Sequence, residues 1–141
     1  LGREPAFPIP TSRSMERRLS ILLAEDDDAH RDTLVQILSA EGWIVHAASS
    51  GVEAVNVARS RNIDFSILDL HMPGLSGIET ILVIRQEVRP VPCILMSGQA
   101  SKEEQVQAFA AGAFSFLQKP IPAGLLRDAV SRLIHRHFTG R

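Results

Sequence analysis

Three clusters hold the side chains best suited to chemistry in this 141-residue chain: Glu25-Asp26-Asp27, the turn Asp69-Leu70-His71-Met72-Pro73-Gly74, and Lys119-Pro120. Each follows an apolar run that reads as a buried strand. Carboxylates gathered within a few Å repel one another by about 4 kcal/mol per pair at an effective dielectric near 20. A chain that gathers them is expected to bind a divalent cation there, and Lys119 suits an anion beside it. Mg²⁺ takes one or two carboxylates, keeps several waters and adds phosphate oxygens. Asp69 could then attack phosphorus as a carboxylate nucleophile. Ser97 offers a hydroxyl and Gly98 a closely approachable backbone N–H.

Strand and helix signals alternate along the chain and must bring these groups together. The expected strands are Leu19–Ala24, Trp43–Ala47, Phe65–Leu68, Val91–Met96 and Phe114–Leu117. Between them, Leu34, Ile37 and Leu38 mark one helix face, closed by Gly42. Val52, Val55 and Ala58 mark the second, behind a Ser50–Glu53 capping box. Ile78, Ile81 and Leu82 mark the third. Val106, Phe109 and Ala110 mark the fourth, behind a Ser101–Glu104 box. The last helix, from about residue 122 to 137, packs Leu126, Ala129, Val130 and Leu133. Five βα units predict a doubly wound parallel sheet, and ligands bind such sheets beyond the carboxyl ends of the strands. A flavodoxin-like order 2-1-3-4-5 would set strands one and three side by side, delivering Glu25, Asp26 and Asp69 to one place.

Composition narrows the function classes. Fifteen basic and 16 acidic residues nearly cancel, which argues against nucleic-acid binding by this chain itself. No apolar stretch is long enough to span a membrane. The single cysteine, Cys93, suits a reducing, cytoplasmic setting and reads as core packing. Residues 1–17 carry three prolines and no period, so an irregular tail is expected. A natural start at Met15 would make the first 14 residues an expression remnant, and a natural linker is the alternative. Asp27 reads as an N-cap or a solvated loop charge, and Asp64 as part of the loop before strand three.

The motifs Ile21–Asp27, Leu68–Gly74, Ile94–Gly98 and Gly112–Pro120 together resemble the receiver domain of bacterial two-component response regulators over about residues 18–138. The resemblance implies that Asp69 is the phosphoacceptor and that Glu25 and Asp26 are the acid pair. With Asp69 and the backbone carbonyl of His71 they would hold Mg²⁺, for which Mn²⁺ can substitute. Lys119 would contact the phosphoryl group, Ser97 and Phe116 would form the switch pair, and Lys119-Pro120 would be cis. A sensor histidine kinase or phosphotransfer domain would be the donor. An output partner or domain would dock on helix four, strand five and helix five. The domain would catalyse its own phosphorylation and dephosphorylation without being a turnover enzyme. Ser76 and Ser115 stand where the family often has acids, outside the chemical set. His71 is expected at the pocket rim, facing solvent.

Other readings fit less well. A phosphorylation-independent module usually lacks an acid or the lysine. An aspartate-nucleophile phosphatase commonly has a second acid two residues after the nucleophile, where His71 stands. An FMN binder would need a Ser/Thr-rich loop after strand one.

Overall fold

The computed structural model describes residues 18–139, so the expected tail at 1–17 lies outside the described residues. Strands and helices alternate as β1 (Ser20–Ala24), α1 (Asp28–Ala40), β2 (Ile44–Ala48), α2 (Gly51–Ser60), β3 (Phe65–Asp69) and α3 (Gly77–Glu87). There follow β4 (Cys93–Ser97), α4 (Lys102–Ala110), β5 (Ser115–Gln118), α5 (Ala123–Ile134) and a π-helical turn, His135–Thr139. All strand pairs are parallel, in the order β2-β1-β3-β4-β5. Fold and strand order agree with the sequence reading.

Alternation along the strands divides the core into two layers. Ile21, Leu23, Phe65, Ile67, Ile94 and Met96 pack with Leu34 and Leu38 of α1 and Leu126 and Val130 of α5. Leu22, Leu68 and Leu95 point the other way, onto Val55 of α2, Ile81 and Ile84 of α3, and Ala108 of α4. The central strands β3 and β4 are buried along their whole length, which explains their unbroken apolar runs. Cys93 lies in the second layer, and burial pushes its thiol up to about 12.

Element ends follow local chemistry. Asp27 caps α1 by accepting the His30 N–H at 2.8 Å, as one of its two readings foresaw. Gly42 takes φ +92° after α1. Ser101 and Glu104 form a complete capping box. Ser76 and Glu79 form another, which the sequence reading did not single out. Ser50 caps α2, but Glu53 turns its carboxylate to Ser49, so only half of that box exists. Lys119-Pro120 is cis.

Several expectations require correction. Val106 and Phe109 are 65% and 51% exposed, and Ala108 is the buried contact of α4. Periodicity marks a face without saying which way it points. Val52 and Leu82 are also exposed, because Ala54, Val55 and Ala58, and Thr80, Ile81 and Ile84, form the inward arcs. β4 begins at Cys93 rather than Val91, since Pro92 lacks an N–H for the ladder. The α-helical part of the last helix stops at Ile134, and the π-turn brings His137 edge-on to Phe114, 5.7 Å between centroids.

Gly77 opens α3 directly beneath the end of β3. A Cβ there would lie 2.5 Å from the Asp69 carbonyl oxygen and 3.0 Å from the Leu70 Cα, both backbone atoms that cannot step aside. Gly98 has nothing within 4 Å of such a position. Gly77→Ala is therefore expected to lose about 1–3 kcal/mol. Gly98→Ala should change stability by no more than about 0.5 kcal/mol. Urea denaturation midpoints of the two variants check this, and equal midpoints would contradict the close-approach argument.

Candidate functional site

Register brings the acids together. Ala24 of β1 lies opposite Leu68 of β3, so the next residues along, Glu25 and Asp69, leave the sheet side by side. Asp69 lies opposite Met96 of β4, and Ser97 opposite Gln118 of β5, one residue before Lys119. Ladder bonds continue past the strand ends: Glu25 N donates to Ala48 O (3.1 Å) and Lys119 N to Ser97 O (2.8 Å). The side chains thus spring from backbone that is already fixed.

Carboxylate oxygens of Glu25, Asp26 and Asp69 all lie within 4.8 Å of one another. Glu25 and Asp69 are buried, and Asp26 is exposed. The Lys119 ammonium bridges the buried pair, donating to Glu25 Oε1 at 2.7 Å and to Asp69 Oδ2 at 2.8 Å. His71 N–H donates to Asp69 Oδ1 at 3.2 Å. The donor set is entirely carboxylate oxygen, the hard chemistry that suits Mg²⁺ or Mn²⁺ rather than thiophilic metals.

Burial and charge act on the buried pair with opposite results. Burial disfavours the Glu25 carboxylate, but hydrogen bonds from Lys119, the Asp27 N–H and His30 outweigh it and hold its pKa below the usual range. Burial dominates at Asp69, and with the neighbouring Glu25 charge it keeps the carboxyl above its ordinary range despite Lys119. Burial also works against the Lys119 charge, yet Asp69 and Glu25 prevail and raise its pKa.

The opposite wall of the cleft is made of hydroxyl, imidazole and loop. Ser97, fully buried, donates from Oγ to Gln99 O (2.9 Å), accepts the Gln99 N–H (3.1 Å) and lies 3.4 Å from His71 Nδ1. His71 Nε2 lies 2.9 Å from Glu104 Oε2. The His71 side chain is 53% exposed, at the rim as expected, although paired rather than free. Asp69, His71, Gly98, Gln99, Glu104 and Lys119 line an open cleft of about 750 Å³. Phe116 sits three residues before Lys119, opposite Leu95 and half-buried against the core layer of α2, α3 and α4. Asp64 is at the other end of the sheet, where its carboxylate accepts the Ser20 N–H at 2.8 Å.

The family model of the response regulator receiver domain matches residues 21–131, which span every element of the cleft. The chain belongs to that family. It is a receiver of two-component signal transduction. Among its relatives, the cell cycle transcriptional regulator CtrA of Caulobacter vibrioides is 32% identical over 102 residues, covering 72% of this chain and 44% of that protein. The response regulator MprA of Mycobacterium avium is 33% identical over 118 residues, covering 84% and 52%. The chain thus spans about half the length of the curated relatives it matches. A receiver domain from Clostridium thermocellum superposes with a TM-score of 0.78 at 28% identity, covering 84% of this chain and 95% of that one. The non-phosphorylated HemR receiver domain of Leptospira biflexa gives 0.77 at 29%, covering 83% and 94%. The family is one of signalling receivers rather than turnover enzymes. No helix among the described residues is long and apolar enough to cross a membrane.

Two groups that touch the receiver's site residues were not recognised from sequence as part of the site. His30 Nδ1 lies 2.5 Å from Glu25 Oε1, and Glu104 ties His71 to the start of α4. Glu104 was noticed only as a capping residue. The signal for His30 was its place in the first turn of the helix that follows the acid cluster, where a side chain can reach back to the strand end.

The opposed shifts of Glu25 and Asp69 carry opposite signs for stability. A depressed folded pKa means that the Glu25 charge stabilises the fold above the ordinary carboxylate range. That contribution is lost as pH falls through the lower folded value. A raised folded pKa means that the Asp69 charge costs stability at neutral pH, and protonation on acidification relieves the cost. In EDTA at pH 7, Asp69→Asn should raise the urea midpoint and Glu25→Gln lower it, each corresponding to a change in unfolding free energy on the order of 1 kcal/mol. The Asn advantage should shrink as pH falls and Asp69 itself protonates. A lowered midpoint for Asp69→Asn at pH 7 would refute the electrostatic account.

Proposed function

We propose that this receiver, spanning residues 18–138, accepts a phosphoryl group on Asp69 from a histidine kinase or phosphotransfer domain in a Mg²⁺-dependent reaction. The observation that carries the reading is the Lys119 ammonium held 2.8 Å from Asp69 Oδ2 beside the clustered acids. Phosphoryl transfer requires mainly positioning and charge neutralisation. Asp69 is fixed for it by β3 at one side and the His71 N–H at the other.

In the transfer, one Asp69 carboxylate oxygen forms a bond to phosphorus as the donor's bond to phosphorus breaks. The bonding electron pair leaves with the donor, an imidazole nitrogen in the case of phosphohistidine. Asp26, Asp69, Glu25 and the His71 backbone carbonyl are the groups that would hold Mg²⁺, with Mn²⁺ as a substitute. The ion would supply charge neutralisation at the attacking carboxylate and the phosphoryl oxygens. Lys119 meets a phosphoryl oxygen with its fixed positive charge. Burial of Glu25, Asp69 and Ser97 limits water access from the strand side.

The same residues would turn modification into a signal. Ser97 spends its hydrogen bonds on Gln99 and His71. Strong acceptor oxygens on Asp69 would draw the hydroxyl across, and Phe116 would move into the space vacated beside the β4–α4 loop. Each is a local change that biases a two-state equilibrium. The output surface would be the face of α4, β5 and α5; α4 carries the exposed apolar side chains Val106 and Phe109. The setting is cytoplasmic.

Intact-mass measurement after incubation with acetyl phosphate and Mg²⁺ tests the reading. One added phosphoryl group is expected on the wild-type chain, lost in EDTA and absent from Asp69→Ala. Modification of Asp69→Ala at the wild-type rate would reject Asp69 as acceptor. Lys119→Met should take up phosphoryl at least about tenfold more slowly, because it removes a charge-assisted contact to the transferred group.

A further inference from the structure

Glu25 has no exposed surface, and its carboxylate is held by three donors. Oε2 accepts the Asp27 N–H at 3.1 Å, while Oε1 accepts from both Lys119 Nζ (2.7 Å) and His30 Nδ1 (2.5 Å). An ionised carboxylate only accepts, so Nδ1 of His30 must carry a hydrogen, whether the ring is neutral or charged. The histidine is itself fixed. Its backbone N–H donates to the capping Asp27 carboxylate at 2.8 Å, and its side chain is only 25% exposed. Next to it, Arg31 donates to the Glu25 backbone carbonyl at 2.8 Å and to Asp28 Oδ1 at 2.6 Å. The first turn of α1 therefore grips Glu25 by side chain and backbone together.

Lys119 is shared between two acceptors, and sharing limits its freedom. For the ammonium to follow a new group on Asp69, it must loosen from Glu25 Oε1. The ion that Glu25 would help to hold can face only part of its carboxylate, so without a second donor Oε1 would be left a buried, poorly satisfied oxygen, which is strongly unfavourable. His30 sits on the same oxygen and stays when Lys119 leaves. We propose that His30 is a positioning residue: its Nδ1–H keeps the buried Glu25 carboxylate satisfied and oriented, so that Lys119 can pass from Glu25 to the phosphoryl group on Asp69. The inference rests on the phosphoacceptor reading above and adds a residue to it.

Two variants separate the donor from the packing. His30→Leu approximates the volume without a donor, and His30→Asn retains an N–H near the place of Nδ1. With acetyl phosphate and saturating Mg²⁺, His30→Leu should modify Asp69 about tenfold more slowly, the order expected for one lost hydrogen bond to a charged group. His30→Asn should recover most of that loss. In a Glu25→Gln background, where no buried charge needs satisfying, His30→Leu should add no further slowing. Equal slowing in both backgrounds would mean that His30 acts through packing alone and would overturn the proposal.

A second readout is independent of phosphorylation. Ring ¹⁵N NMR of the metal-free full chain should find His30 Nδ1 protonated and its signals displaced by Glu25→Gln. An unprotonated Nδ1, or signals indifferent to that substitution, would remove the contact on which the proposal stands. A wild-type chain that never gains a phosphoryl group would instead defeat the phosphoacceptor reading, and the ring measurement would still decide whether His30 holds Glu25.

Discussion

The pocket depends on one ammonium group placed between two buried carboxylates. Lys119 meets Glu25 and Asp69 at 2.7 and 2.8 Å, and both acids would otherwise be charges in a poorly solvated site. A single lysine does not balance three clustered acids. The remaining negative charge creates demand for a small divalent cation, and the exposed Asp26 leaves a side from which an ion can enter. A bound cation and the placed lysine would thus be two answers to the same electrostatic problem. The uneven supply of donors also explains why the pKa values of Glu25 and Asp69, adjacent and both buried, are displaced in opposite directions. Glu25 has three donors, while Asp69 shares the lysine and bears its neighbour's charge.

Parallel topology is what makes such a concentration of charge tolerable. Every strand ends at the same edge, so groups distant in sequence converge where the ladder runs out. Buried apolar strands hold them rigidly from below. The Glu25 and Lys119 backbones remain hydrogen-bonded one residue beyond their strands, and Gly77 lets α3 close directly onto the Asp69 carbonyl. Repulsion among the acids is therefore met by covalent and packing constraints that the loops alone could not supply.

Much of this was legible in the sequence because it lives in short-range pattern. Apolar runs ending in Glu25-Asp26, Asp69 and Lys119 fix both the strands and their carboxyl ends, and the βα alternation fixes the architecture. The hidden parts depend on direction and reach. The apolar spacing of Val106 and Phe109 reads like a core stripe, yet α4 rests on the sheet through Ala108 and turns those two residues to solvent. His30 reads as an ordinary helix residue until the Asp27 cap is known to fold the first turn back over Glu25. Glu104 serves a capping box with one oxygen and His71 with the other, a double use that spacing alone does not reveal.

The two sides of the cleft are held with unequal strength, and that asymmetry suits a switch. The acid side is anchored on β1 and β3, whose side chains pack into both core layers. The hydroxyl side is anchored on the β4–α4 loop and on a nine-residue helix with one buried side chain, Ala108. Elements with few buried contacts open at the lowest free energy. A new charge at Asp69 would meet resistance from the acid side and compliance from the Ser97–Gln99 loop, so displacement would be directed toward α4. The His71–Glu104 pair lies across that path, joining the pocket rim to the first turn of α4 by a solvent-exposed contact of the kind that solvent and salt weaken. Such a contact is weaker than the charge-assisted bonds that hold Glu25 and Asp69 on the acid side, so the rim can give way while the acids stay fixed.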